Sequence, residues 1–235
     1  MYHIGIVDLT TIGSTITQRR ISELGGSFGE HPEFSVHSVP FVEYRKAIIH
    51  SDWDLMAKLV RSSIDKLNRI GVDFIILPSN TPHYAYNEYC KGSRAPVLNL
   101  IDITVEECKA LGLKHVAVLG TKQTMTSGLY DTKLLQQGIE PVIPDAQTCD
   151  MIQEYIIEDL IPGKDNLTRR TKVLEAVNQL NCDGFILGCT ELPEVYSEAD
   201  FMGRKAIDTT RLLAEKAFDI AKNCRADLLK QYRSM

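Results

Sequence analysis

No run of apolar residues in this chain of 235 approaches the roughly 18 that a bilayer-spanning helix needs, so a membrane is not an expected partner. Basic residues are not gathered either. The 26 Lys and Arg against 31 Asp and Glu leave a formal net charge of −5, and "RR" at 19–20 and "RRTK" at 169–172 are short enough to be solvated helix faces. Nucleic acid is therefore not an expected partner. The cysteines Cys90, Cys108, Cys149, Cys182, Cys189 and Cys224 include no CxxC pair, and no His stands at metal-ligand spacing, so no metal site is expected. The opening "MYHIGIVDL" has neither the basic start nor the apolar core of a signal peptide. Free thiols without a leader lead us to expect the cytoplasm.

What is present is an ordinary globular composition, 44% hydrophobic and 24% charged, arranged as short apolar runs between helical patterns. Strands are expected at 3–9, 34–41, 72–78 and 95–100. Helices are expected from the turn after residue 9 to about 24, over 52–70 with Gly71 as the stop, and over 102–111. The order then restarts. Strands are expected at 115–120, 139–144, 183–188 and 204–208, with helices to about 137, over 150–161 and 166–180, and from Thr209 to about Asn223. Such alternation predicts an α/β fold with mainly parallel sheets flanked by helices.

The restart carries a weak repeat. "HIGIVDL" at 3 resembles "HVAVLGT" at 115, and "VDFIILPSNT" at 72 resembles "CDGFILGCTE" at 182. Asp73 then matches Asp183, and Ser79 falls on Cys189. Two similar offsets in the same order favour duplication over chance. We expect two pseudosymmetric lobes, one formed by 1–98 with 208–235 and the other by 99–207, with the active site in the cleft between them. Ligands of open α/β sheets bind at the carboxyl ends of strands, where both turns lie.

Cys189 follows Gly188 at the end of a buried strand, where a sharp turn can aim amides at an anion or a thiolate. A thiol becomes a usable base only when its surroundings stabilise the thiolate. The plain alternative is an inert buried cysteine, and the serine turn at the matching position argues against it. In that turn Asn80 and Thr81 offer short polar groups, and Pro82 suits the first turn of a helix. His83 stands four residues after Ser79 and is a candidate helper for its hydroxyl, the alternative being a packing or capping His.

At these residues the chain resembles the cofactor-independent aspartate/glutamate racemase family. The likeness runs through "SNTPH" (79–83), "VLGTKQTM" (118–125), "IPDAQ" (143–147), "LGCTELP" (187–193) and "IDTTRLLAE" (207–215). The resemblance implies proton transfer at Cα by two cysteines without pyridoxal phosphate or metal, an acidic amino acid as substrate, and a homodimer. Here Ser79 replaces the first cysteine, and "DLTTI" at 8–12 replaces a glycine-rich turn. Family members with a hydroxyl residue in that first position are regarded as selective for L-aspartate and L-glutamate. Carried over by position, Cys189 and Ser79 are the acid–base pair. Thr10, Asn80, Thr81, Thr121, Thr124, Thr190 and Glu191 are substrate-binding candidates, and Arg45 or Lys164 would hold the distal carboxylate. Asp8 is either a second helper or a strand-end cap. Two other readings stay open: a single-cysteine lyase of the arylmalonate-decarboxylase kind, and a non-catalytic binder of an acidic amino acid.

Overall fold

The computed structural model of the chain describes residues 1–27 and 29–232, the side chain of Thr11 excepted. It divides into two compact units, Met1–Leu100 with Thr210–Met235, and Ile101–Thr209.

In the first unit β1 (Ile4–Asp8) leads into α1 (Thr11–Leu24), β2 (Phe34–Ser38), α2 (Phe41–Ile49), α3 (Trp53–Ile70), β3 (Phe74–Ile76) and the short α4 (Tyr86–Cys90). The sheet order is β2-β1-β3, all parallel, extended by one bridge from Ile75 to Val97. The stretch 95–100, expected as a full strand, contributes that single bridge, because the next helix, α5 (Leu100–Ala110), begins at its end. Helix α3 shows how local sequence builds this layer. Asp52 caps its start by accepting from the Leu55 amide at 2.9 Å, and Gly71 ends it in the left-handed region at φ 91°. Met56, Val60, Ile64 and Leu67 recur at helical spacing and are fully buried against Val7, Ile75 and Leu77 of the sheet. Each such side chain contributes about 1.5–3 kcal/mol by leaving water.

In the second unit β4 (His115–Leu119) is followed by α6 (Lys122–Thr126), α7 (Asp131–Gln136), β5 (Glu140–Val142), α8 (Ala146–Tyr155), α9 (Leu167–Asn178), β6 (Gly184–Leu187) and β7 (Lys205–Asp208). The sheet order is β5-β4-β6-β7, again all parallel. One π-helical turn, Ile156–Leu160, extends α8. The helix expected to reach about 137 is two helices, parted at Gly128, whose φ is 75°. The chain then forms α10 (Thr209–Lys222) and α11 (Ala226–Leu229).

The two sheets repeat one another in order, register and detail. In each, the second strand flanks the first, and the third lies on its other side. Ile4 registers with Phe74 in one sheet, and Val116 with Gly184 in the other. Asp73 accepts from the His3 amide at 2.7 Å and returns its own N–H to the His3 carbonyl at 2.9 Å. Asp183 treats His115 in the same way, at 2.9 and 2.7 Å, and also accepts from the Lys114 amide. An aspartate at the start of the third strand thus ties down the start of the first strand in both units.

Candidate active site

Parallel strands send their carboxyl ends to one edge of a sheet, and the candidate residues of each unit lie along that edge. In the first unit Asp8 ends β1 in register with Ser38 of β2, and Ser79 follows Pro78 just beyond the end of β3. Pro78 has no N–H to extend the ladder, and the chain turns into a 3-10 turn, Thr81–Ala85, with Pro82 in its first turn. Asn80 is buried and its carbonyl accepts from the His83 amide at 3.0 Å; Thr81 is half-buried. Thr10 caps α1, its hydroxyl accepting from the Gly13 amide at 3.4 Å.

His83 is hydrogen-bonded to backbone through both ring nitrogens. Its Nε2 accepts from the Leu100 amide at 3.2 Å, which leaves the proton on Nδ1, and Nδ1 donates to the Ser79 backbone carbonyl at 2.9 Å. Both ring nitrogens are engaged with backbone, so the imidazole fixes the turn. Asp8 is 7% exposed, and its Oδ1 has no hydrogen-bond partner among the described residues. Burial pushes its carboxyl above the ordinary range, with the nearby Ser38 hydroxyl offsetting part of the effect.

In the second unit β4 and β6 close tightly at the same edge. The Gly188 amide donates to the Leu119 carbonyl at 2.6 Å. A Cβ at Gly188 would meet that carbonyl oxygen and the Thr124 methyl at 3.2 Å each. This close approach seats Thr124 beside the turn, and its hydroxyl lies 3.1 Å from that of Thr121 at the start of α6. Cys189, Thr190 and Glu191 follow, all nine-tenths buried. The Cys189 thiol donates to Glu191 Oε2 at 2.9 Å, and the Thr190 hydroxyl donates to the same oxygen at 2.8 Å.

That pair changes the chemistry expected of the thiol. The amides of Thr190 and Glu191 do approach the sulfur and favour its thiolate, but burial and the facing carboxylate outweigh them. Burial comes first and Glu191 second, and together they hold Cys189 far above the ordinary thiol range. Buried Cys90 and Cys108 are pushed to about 12 with burial the leading cause in each, and Cys189 differs from them in donating its S–H to a carboxylate. Glu191, a substrate-binding candidate by position, is engaged with its two neighbours. The pairing was written in the sequence as Cys-Thr-Glu, but only the turn brings residues 189 and 191 to the same point.

The two candidate cations are less committed. Arg45 lies on the exposed face of α2, a helix not expected from the sequence. Lys164 is exposed in the loop after the π turn, its amide donating to the Asp159 carbonyl at 2.8 Å. Among the described residues no group of three or more His, Cys, Asp or Glu is arranged to hold a metal ion.

With this geometry in place, comparison with known proteins is decisive. The profile of the Asp/Glu/Hydantoin racemase family matches residues 4–217. The chain belongs to that family. It is 34% identical over 173 residues to the broad specificity amino-acid racemase RacX of Bacillus subtilis (strain 168), covering 71% of this chain and 72% of that one. Against the glutamate racemase of Aquifex aeolicus (strain VF5) it is 29% identical over 166 residues, 69% of this chain and 64% of the relative, so under two thirds of that enzyme is spanned. Among solved structures, an aspartate racemase homologue from Pyrococcus horikoshii OT3 superposes with a TM-score of 0.81 at 27% identity, over 94% of this chain and all of the other. The protein is therefore an isomerase of the racemase class.

Proposed function

We propose that the protein racemises aspartate, glutamate or both by moving the α-proton without a cofactor, with Cys189 and Ser79 serving opposite faces of Cα. The observation that carries this reading is the buried Cys189–Glu191 pair at the carboxyl end of β6, at the position that the internal repeat equates with Ser79 after β3. A thiol pushed up by burial and by a carboxylate is protonated at rest, and its thiolate, once formed, is a stronger base. Glu191 is the acceptor already within reach. Transfer from sulfur to Oε2 breaks the S–H bond, forms an O–H bond and keeps the pair at a single negative charge. The thiolate then takes the α-proton of one enantiomer, and the S–H bond re-forms as negative charge develops on the substrate. The hydroxyls of Thr121, Thr124 and Thr190 and the polar groups of Thr10, Asn80 and Thr81 are suited to the α-carboxylate and ammonium. Arg45 or Lys164 would hold the distal carboxylate.

On the other face Ser79 must give up a proton, and a hydroxyl is a far weaker acid than a thiol. Asp8, at the carboxyl end of β1 in the same unit and shifted toward its protonated form, is the group we assign to resupply that proton. The free enantiomers have equal energy, so kcat/KM must be equal in the two directions, and a slow Ser79 step limits both. Exchange of the α-proton with solvent is not bound by that equality. The thiol face should exchange quickly without completing inversion.

The experiment is incubation of L- and D-aspartate and L- and D-glutamate in heavy water, followed by NMR and chiral analysis. One enantiomer should exchange faster than inversion proceeds, and Cys189→Ala should abolish that exchange. Full activity in Cys189→Ala would end the assignment. A broader substrate range is the second reading, supported by the 34% identity to a racemase described as of broad specificity and by the exposure of both candidate cations. Neutral and basic amino acids in the same assay separate the two. A homodimer and a cytosolic location complete the proposal, the first resting on the family resemblance and the second on six free cysteines. Light scattering on the purified protein tests the first.

A further inference from the structure

The chain passes between the units at two places, Leu100 to Ile101 and Thr209 to Thr210. Each place opens a helix, α5 or α10, of 11 and 14 residues. The two places lie one residue from equivalence in the repeat, since Leu100 and Thr209 stand 109 residues apart. Asn99 and Thr209 are separated by 110 residues, the difference between 209 and 99, and so are Ser79 and Cys189, the difference between 189 and 79. Both Asn99 and Thr209 are buried, at 3% and 0% exposure.

At each crossing a hydrogen bond reaches back to the turn of its own unit. In the first, the Leu100 amide is one of the helix-start donors that the helix itself cannot satisfy. It donates to His83 Nε2 at 3.2 Å, and His83 Nδ1 donates to the carbonyl of Ser79 at 2.9 Å. In the second, the Thr209 hydroxyl donates to the carbonyl of Leu187 at 3.0 Å, two residues before Cys189. The means differ, an imidazole bridge in one unit and a hydroxyl in the other. The connection is the same: the start of the crossing helix holds the backbone of the turn that carries the proton-transfer group.

We infer that His83 and Thr209 are positioning residues, each fixing one acid–base group from a crossing point, His83 for Ser79 and Thr209 for Cys189. The inference rests on the reading of Ser79 and Cys189 as the proton-transfer groups. It gives His83 a structural bond to the backbone of Ser79. A misplacement of a reacting group by about 1 Å can cost about a hundredfold in rate, so loss of either tie should register in the step its turn performs.

The test follows α-proton exchange in heavy water separately for the L and D forms of whichever acidic amino acid the wild type turns over. The enantiomer whose exchange is lost in Cys189→Ala reports the thiol turn, and the other reports the serine turn. Thr209→Val, which keeps the shape and removes the hydroxyl, should slow thiol-side exchange about tenfold or more. It should leave serine-side exchange within about twofold of wild type. Thr209→Ser should restore it. His83→Phe should do the reverse, and if that variant fails to fold, His83→Gln carries the same expectation. Net racemisation falls equally in both directions in every slowed variant. Equal slowing of both enantiomers, or of neither, overturns the inference while leaving the acid–base reading standing. Exchange untouched in both Cys189→Ala and Ser79→Ala would overturn that reading and the inference together.

Discussion

The thiol of Cys189 donates to Glu191 Oε2 across 2.9 Å in a pocket of side chains nine-tenths buried. A carboxylate this close to a thiol opposes its ionisation, so the contact can be read in the titration of the sulfur. In Glu191→Gln the repulsion is gone while the hydrogen bond keeps an acceptor, and the thiolate should appear at lower pH than in wild type. Thiolate absorbance or the pH dependence of alkylation measures this. Racemisation should fall at the same time by about a hundredfold, because the variant removes the group that takes the thiol proton. An unmoved titration would show that burial alone sets the thiol.

Ser79→Cys tests the hydroxyl face. It replaces a weak acid with a stronger one at a fixed backbone position held by His83. Net inversion should speed up, and the gap between exchange and inversion should narrow. A slower enzyme would mean that the larger sulfur does not fit where the hydroxyl acts.

Asp8→Asn should make the protein more stable and less active. The buried carboxyl has its folded pKa above the ordinary 3.8, so between the two values the folded state binds more protons than the unfolded state. Wild-type stability therefore falls as pH rises through that window and stays reduced above it. An amide has no charge to desolvate. The advantage of Asp8→Asn in urea midpoint should be absent below the unfolded value, grow as pH rises and level off at neutral pH. An advantage independent of pH would refute the assignment of burial as the cause.

Arg45→Gln and Lys164→Gln should part the two candidate cations. The one that holds the distal carboxylate should raise KM for acidic substrates by about tenfold or more and leave neutral amino acids unaffected. The other, as a surface charge, should change neither. If both variants match wild type on aspartate and glutamate, the preference for acidic substrates has no support.

Much of this fold was legible before folding was considered. The strands at 3–9 and 115–120 and the helix over 52–70 were readable because burial on a sheet face or a helix stripe imposes a period on the side chains. Helix α2 was not, since Pro40 precedes it with no side-chain cap and no glycine marks its entry. The helix break at Gly128 was readable from "SG", but the apolar pattern on either side hid it. Ser79 and Cys189 were candidates by sequence because the repeat survives in the residues around them, such as Asp73 and Asp183.

Sequence by itself determined the class of chemistry: a thiol and a hydroxyl at matching strand ends, in a chain with two similar α/β halves. Tertiary structure decided the state of that chemistry. Whether a carboxylate two residues from a cysteine faces the sulfur or the solvent depends on the turn that Gly188 permits against Leu119, and no spacing rule reports it. The same holds for His83, whose two nitrogens are claimed by carbonyl and amide groups at residues 79 and 100. Protonation states and hydrogen-bond partners are properties of distances, and distances exist only once the chain has closed on itself.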